Sequence, residues 1–102
     1  DTIQGGDGSD SITAGAGVDS VDGGLGDDKI VFAGNLTSAD TIVGGTGSDT
    51  LSFTDSNSAA DDLNNVTGIE TVTLGDAATT VTTVNGLVAS GQTLTVDGGL
   101  TL

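Results

Sequence analysis

The chain has 102 residues, and its 14 Asp and one Glu stand against a single cation, Lys29, so the formal net charge is -14. Nucleic acid and anionic membrane surfaces are therefore excluded as partners, because both need a basic face to neutralise phosphate, and cations are the expected ligands. His, Cys, Tyr, Trp, Met and Pro are absent, which excludes zinc and iron–sulfur sites, thiol chemistry and histidine-based acid–base catalysis.

The composition also limits how the chain can fold. Leu, Ile, Val and Phe together make up 26 residues, a little above the roughly 20% below which a highly charged chain stays disordered. Without Cys no disulfide can hold a small core together, so we expect another stabilising element. No apolar run approaches the roughly 20 residues of a membrane span, and no signal peptide is recognisable. Because the chain begins at Asp1 rather than Met, we expect it to be a segment of a longer protein.

The first half of the sequence contains a nine-residue repeat. Complete units occupy residues 5–13, 14–22, 23–31 and 44–52. Between the last two, residues 32–43 form a degenerate unit with three extra residues and a single Gly. Aliphatic residues recur at steps of nine, each two residues after an Asp, at Ile3, Ile12, Val21 and Ile30. A flexible linker, which is the alternative for this composition, has no reason to keep that phase, so the repeat predicts packed structure.

Each unit can be derived as a tight turn followed by a short strand. Glycine reaches positive φ without steric cost, so a G-G-x-G stretch curls the backbone and turns its carbonyls towards one centre. The next three residues place one aliphatic side chain between two polar ones, which is the period of a strand with one inward face. Two units then make one coil of 18 residues, and successive turns stack on opposite edges.

Stacked turns of this kind gather carboxylates and carbonyls into an oxygen-only cluster. Such a cluster suits Ca2+, which accepts six to eight oxygens in flexible geometry, better than Mg2+, which holds its water and demands a strict octahedron. One Ca2+ would also cancel two facing carboxylates, such as those of Asp10 and Asp28, which otherwise repel each other. Asx turns account for any single Asp but not for the whole series. We therefore predict Ca2+ as the cofactor.

Residues 5–10, 23–28 and 44–49 resemble the G-G-x-G-x-D-x-U-x nonapeptide of RTX proteins, and the resemblance covers residues 1–52. It implies an all-β fold, a parallel β-roll or β-helix solenoid, with Ca2+ between one turn and the second turn after it. In such rolls one turn gives its second and fourth carbonyls and its Asp. The other turn gives its first and third carbonyls and its Asp.

Carried over to matching positions, the resemblance implies two regular calcium sites. The first would use Gly6, Gly8, Asp10, Gly23, Leu25 and Asp28. The second would use Gly24, Gly26, Asp28, Gly44, Thr46 and Asp49. On the opposite edge, a less regular site would combine one turn with the irregular loop, through Gly15, Gly17, Asp19 and Asp40.

The second half of the sequence is rich in Thr and Val, and Gly falls from 12 in residues 1–49 to six in the remainder. We expect an acidic connecting loop over residues 53–68, then a β region over residues 69–102 that continues the solenoid. Strands are predicted at residues 70–74, 79–84, 92–96 and 100–102. An antiparallel sheet or sandwich is the alternative. The acidic residues 55–62 are predicted to form a solvated turn, because they lack the sixth-position Gly of an EF-hand loop.

Residues 65–74 resemble segments of bacterial surface-layer proteins and of giant proteins secreted by the type I route. The resemblance implies a calcium-dependent structural or adhesive module of an extracellular bacterial surface protein, which folds on binding Ca2+ outside the cell. Its partners would be calcium ions and neighbouring copies or other surface proteins, with no nucleic acid and no transmembrane segment. The alternative is an accessory domain, associated with secretion, of a type I-secreted hydrolase.

We expect no enzyme within this segment. An acidic pair such as Asp62 and Glu70 is the only arrangement that could act, in the manner of a glycosidase. Sugar pockets need aromatic or basic residues, and the chain has two Phe and one Lys.

Overall fold

The computed structural model describes residues 1–33, 36–53, 65–74 and 95–97, and within these ranges the chain forms nine β-strands and no helix. The strands are β1 (Thr2–Asp7), β2 (Ser11–Thr13), β3 (Ser20–Leu25), β4 (Lys29–Ala33), β5 (Thr41–Thr46), β6 (Thr50–Phe53), β7 (Val66–Thr67), β8 (Thr71–Leu74) and β9 (Thr95–Asp97). The predicted all-β class is confirmed. None of the described residues belongs to a helix that is long and apolar enough to cross a membrane.

Two parallel sheets form the body of the molecule. One has the order β1-β3-β5-β7 and the other β2-β4-β6-β8-β9, so the chain alternates between the sheets and returns to each one a coil later. Ser20 pairs with Thr2, 18 residues earlier, and with Thr41, 21 residues later. This arrangement is the predicted parallel roll, with one coil lengthened by the three extra residues of the degenerate unit.

The apolar core lies between the two sheets. The first sheet contributes the column Ile3, Val21, Ile42 and Val66, and the second contributes Ile12, Ile30, Leu51 and Val72. All of these side chains are buried except that of Ile3, which is half-buried. Each column takes one aliphatic residue per coil, because successive nine-residue units contribute alternately to the two sheets. The aliphatic residues that recur at steps of nine in the sequence are therefore the residues that pack in the core.

The degenerate unit is absorbed without interrupting the sheet. The pairing of β4 with β6 passes from Val31 opposite Ser52 to Ala33 opposite Phe53, so Phe32 is an extra residue in the ladder. Phe32 is fully buried, and Leu36 is buried in the loop that follows. Phe32 and Leu36 thus add two apolar side chains to the core.

The parallel sheets continue past the repeats. β7 joins the first sheet beside β5, at the end of the predicted connecting loop, and β8 and β9 extend the second sheet. The strand predicted at residues 70–74 is observed as β8. β9 overlaps the end of the strand predicted at 92–96, of which residues 92–94 lie outside the described residues. Val72 pairs with Val96, an offset of 24 residues. The strands predicted at 79–84 and 100–102, and the acidic turn at 55–62, lie outside the described residues.

Candidate metal centre

The turns of residues 5–10, 23–28 and 44–49 stack on one edge of the roll, which we call the Asp28 edge. In the second and third of these turns, one carboxylate oxygen of the Asp is held by the backbone of the preceding coil. The N–H of Asp10 donates to Asp28 Oδ1 over 2.8 Å, and the N–H of Asp28 donates to Asp49 Oδ1 over 2.9 Å. These bonds form a ladder that fixes the direction in which each carboxylate points.

The other carboxylate oxygen is buried and has no hydrogen-bond partner. Within the described residues this holds for the Oδ2 atoms of Asp10, Asp19, Asp28 and Asp49. Asp28 is 2% exposed and Asp49 is 0% exposed. An unpaired carboxylate oxygen away from water costs free energy, and a bound cation is the partner that removes the cost.

The first glycine of each turn leaves a small space beside the unpaired oxygen. A Cβ added to Gly5 would lie 2.7 Å from Asp10 Oδ2 and 2.5 Å from the carbonyl oxygen of Gly23. A Cβ added to Gly23 would lie 2.5 Å from Asp28 Oδ2 and against the carbonyl oxygen of Gly44. The carboxylate of one turn and the first carbonyl of the next therefore face one space, which any side chain would fill. We call this space the cradle.

Later glycines bring further carbonyls against the next coil. Gly24 and Gly26 have φ of 107° and 120°, a region that side-chain-bearing residues rarely adopt. They pack directly on the carbonyl oxygens of Gly6 and Gly8 in the preceding turn. The next turn repeats these contacts, since Gly45 and Gly47 pack on the carbonyl oxygens of Gly24 and Gly26.

Two of the predicted ligand carbonyls also accept hydrogen bonds between turns. The N–H of Gly8 donates to the Leu25 carbonyl over 2.7 Å, and the N–H of Gly26 donates to the Thr46 carbonyl over 2.8 Å. A carbonyl oxygen has two lone pairs, so these bonds leave one free for a cation. The residues predicted for each of the two regular sites therefore lie on facing turns of the same edge.

The opposite edge, which we call the Asp19 edge, contains residues 14–19 and the loop ending at Asp40. The N–H of Asp19 donates to Asp40 Oδ1 over 2.8 Å, as in the ladder of the Asp28 edge. Asp40 Oδ2, however, accepts the N–H of Thr37 over 2.8 Å and its hydroxyl over 3.2 Å. Both oxygens of Asp40 are thus bound by the protein itself.

One more feature separates the Asp19 edge from the Asp28 edge. The position of the first turn glycine is taken by Ala14, whose side chain is buried with the hydrophobic core. Asp19 itself resembles the carboxylates of the Asp28 edge, because its Oδ1 accepts a hydrogen bond from the backbone nitrogen of Asp1 and its Oδ2 has no partner. Gly17 has a φ of 112°, and a Cβ on Gly15 would meet nothing within 4 Å.

Glu70 belongs to the Asp28 edge although the motif did not predict it there. The N–H of Asp49 donates to Glu70 Oε2 over 2.8 Å, which continues the ladder by one coil. The nonapeptide motif requires an Asp after a glycine-rich turn, so it does not match Glu70, which follows a single Gly68. The signal that could have found it is the order acid, polar, apolar, polar in residues 70–73, which matches residues 49–52.

The carboxylates of this edge repel one another when no cation lies between them. Burial raises the pKa of Asp49 above its ordinary value of 3.8, and the neighbouring carboxylates of Glu70, Asp28 and Asp27 raise it further. The N–H bond from Asp28 acts in the opposite direction and lowers the pKa. The edge therefore favours either a proton or a cation at Asp49.

The RTX calcium-binding nonapeptide repeat matches this chain in four copies, at residues 1–30 and 36–52. Residues 1–52 are RTX calcium-binding repeats. This confirms the family predicted from the glycine and aspartate spacing, together with Ca2+ as the ligand of the repeats. No curated protein and no solved structure matches the chain.

The donor set of these RTX repeats fits Ca2+. No group of three or more acidic side chains that could hold a metal is found within the described ranges. Each regular site instead offers two Asp carboxylates and backbone carbonyls, which are hard oxygen ligands. The unpaired Oδ2 atoms and the cradles left by Gly5 and Gly23 are consistent with a cation at these positions.

Proposed function

We propose that this chain is a calcium-dependent structural or adhesive module of a secreted bacterial surface protein, which folds when it meets Ca2+ outside the cell. The observation that carries the proposal is the series of buried, unpaired Oδ2 atoms along the Asp28 edge. Like charges stacked one coil apart oppose folding unless a cation lies between them. Calcium binding and folding are therefore one process in this module.

We assign the two regular sites to the residues predicted for them on the Asp28 edge. The carboxylates of Asp10, Asp28 and Asp49 would bind the ions, with carbonyls of the glycine-rich turns completing the oxygen set. Asp28 would serve both sites. The Asp19 edge, with Gly15, Gly17, Asp19 and Asp40, is proposed as a weaker site, because Asp40 is already bound by Thr37.

The continuation of the fold favours a structural module over an accessory domain of a secreted hydrolase. β8 and β9 extend the second sheet beyond the RTX repeats, in the same parallel arrangement. The repeats are thus one part of a longer solenoid rather than a self-contained unit. Extended solenoids present long surfaces, which suits assembly with neighbouring copies or other surface proteins. Catalysis has no place in this proposal.

A calcium titration of the 102-residue chain, followed by far-ultraviolet circular dichroism, tests the proposal. In excess chelator we expect little β signal, and on adding Ca2+ a cooperative transition with a midpoint between about 0.1 and several millimolar, the range of extracellular calcium modules. Mg2+ should substitute poorly, because it needs a stricter geometry and keeps its water.

Two results of this titration would contradict the proposal. A folded β protein in excess chelator would mean that Ca2+ does not drive folding. A nanomolar midpoint would let the segment fold in the cytosol and would reject the extracellular role, even with every ligand correct.

A further inference from the structure

The turn that precedes β8 is a shortened copy of the RTX turns. The sheets pair Val43 with Thr67 on one side and Thr50 with Thr71 on the other. Six residues connect Val43 to Thr50, but only Gly68, Ile69 and Glu70 connect Thr67 to Thr71. Glu70 therefore stands opposite Asp49, outside the residues that match the RTX repeats.

The cradle found at Gly5 and Gly23 occurs a third time against this short turn. A Cβ added to Gly44 would lie 2.8 Å from Asp49 Oδ2 and against the carbonyl oxygen of Gly68. Asp49 is fully buried, and its Oδ2 has no hydrogen-bond partner. The Gly45 carbonyl oxygen also approaches this turn, 3.4 Å from the position of a Cβ on Gly68.

Glu70 supplies the carboxylate that an Asp supplies in the regular turns. It is 7% exposed, and its Oε2 accepts the N–H of Asp49. Glu is one methylene longer than Asp, and this extra reach compensates for a turn that is three residues shorter. Ile69 is the remaining residue of the short turn, and its side chain is fully buried in the core.

We propose that Asp49, Gly68 and Glu70 hold a further Ca2+ on the Asp28 edge, beyond the matched repeats. The ligands are Asp49 Oδ2, the Gly68 carbonyl and the Glu70 carboxylate. The inference rests on the proposed calcium function, because Asp49 also serves the neighbouring regular site. The short turn offers fewer carbonyls, so water completes the coordination and the affinity is lower than at the two regular sites.

Calcium counting on matched variants tests this site. Glu70→Gln removes the charge but keeps an amide oxygen that can accept the N–H of Asp49, so a purely hydrogen-bonding role would survive it. We expect Glu70→Gln to bind one Ca2+ fewer than the natural chain in equilibrium dialysis, with the weakest binding phase missing. Asp7→Asn, which removes the same charge from an exposed side chain, should keep the natural count.

The outcomes separate this inference from the function on which it rests. If the natural chain binds no Ca2+, the proposed function fails and the site with it. If the natural chain binds Ca2+ and Glu70→Gln binds as many ions with unchanged affinities, only the present inference fails. If the circular dichroism of Glu70→Gln at saturating Ca2+ does not reach that of the natural chain, the variant has not folded fully, and the calcium count of Glu70→Asp is used instead. This variant keeps the charge but is too short for the turn, so we expect one ion fewer, and an unchanged count would overturn the site.

Discussion

The two edges of the roll are built from the same repeat but stabilise their carboxylates by different means. On the Asp28 edge Asp28 and Asp49 each have one oxygen bound by the preceding coil and one oxygen left unpaired beside a cradle. On the Asp19 edge Asp40 has both oxygens bound, because Thr37 donates its N–H and its hydroxyl to the second one. At Asp40 donors of the chain thus take the place of the cation that we propose on the Asp28 edge, whereas Asp19 Oδ2 stays unpaired as on that edge.

This difference indicates that an Asp at the sixth position of a turn is not sufficient to leave an open position for a cation. Under our proposal the first glycine also matters, since Gly5 and Gly23 leave a cradle beside Asp10 and Asp28, whereas the Asp19 edge has Ala14 at this position of the repeat. A repeat that keeps its Asp, its ladder and its strand can therefore offer a weaker cation site after one or two substitutions.

Among the variants that test the difference between the two edges, we expect Asp28→Ala to cause the largest loss of bound Ca2+. Asp28 faces both neighbouring turns of its edge, so the variant should lose about two bound ions, whereas Asp10→Ala should lose about one. Equilibrium dialysis with Ca2+ measures both. Asp7→Ala is the control, because its carbonyl survives the change and its side chain is exposed. Equal losses from all three variants would reject the stacking of these turns.

Filling a cradle should have the next largest effect. Gly23→Ala would place a methyl group 2.5 Å from Asp28 Oδ2, so we expect about one ion fewer and a higher calcium midpoint for folding. Gly15→Ala on the Asp19 edge is the matched control, because its methyl group would meet nothing within 4 Å. Titration by circular dichroism compares the two. Similar midpoints for both variants would show that the cradle holds no ion.

A smaller effect is expected from pH. The pKa of Asp49 is raised in the folded, metal-free chain, so the folded state binds a proton more tightly than the unfolded state. In chelator, acidification from neutral pH towards the ordinary Asp value of 3.8 should therefore increase the β signal. In Ca2+ the same change should raise the calcium midpoint, because protons and Ca2+ compete for the carboxylate. A midpoint that does not move with pH would contradict this account of Asp49.

Thr37→Val should produce the smallest effect and concerns only the Asp19 edge. It removes the hydroxyl bond to Asp40 Oδ2 and the bond that this hydroxyl accepts from the Ala39 N–H over 3.3 Å, and it leaves the Thr37 N–H bond to Asp40 in place. We expect a loss of about 0.5–1.5 kcal/mol in the free energy of unfolding at saturating Ca2+, measured by denaturant titration. The number of bound ions should not fall. A lost ion would mean that Thr37 supports a metal site rather than replacing one.

The sequence alone predicted the coil and most of the Asp28 edge, because both follow from a strict period. Ile3, Val21 and Ile42 stack in one column since each lies two residues after an Asp, and a slip by one residue would turn them outward. The glycine positions likewise predicted which turns face each other. The local sequence pattern was sufficient to predict the pairing of strands and turns wherever the repeat unit kept its length of nine residues.

Where the unit changes length, local pattern was not sufficient. The pairing of Phe53 with Ala33, around the extra residue Phe32, depends on how the core fills and not on the repeat. The bonds from Thr37 to Asp40 depend on the conformation of an irregular loop. The nonapeptide pattern does not include Glu70, because the turn before it is short, and its place opposite Asp49 follows from the pairing of β6 with β8.

The carboxylate ladder has a direction, and this limits how repeat number can vary. Each N–H donates to the acidic residue of the following coil, from Asp10 through Asp28 and Asp49 to Glu70. At the last rung the N–H of Glu70 turns back and donates to the Asp49 carbonyl over 3.1 Å. Duplication of whole coils before Glu70 keeps every rung intact, whereas coils added after it meet a donor that is already used. A coil duplicated before Glu70 would therefore extend the ladder by one rung, while the parallel sheet itself continues past Glu70 through β8 and β9.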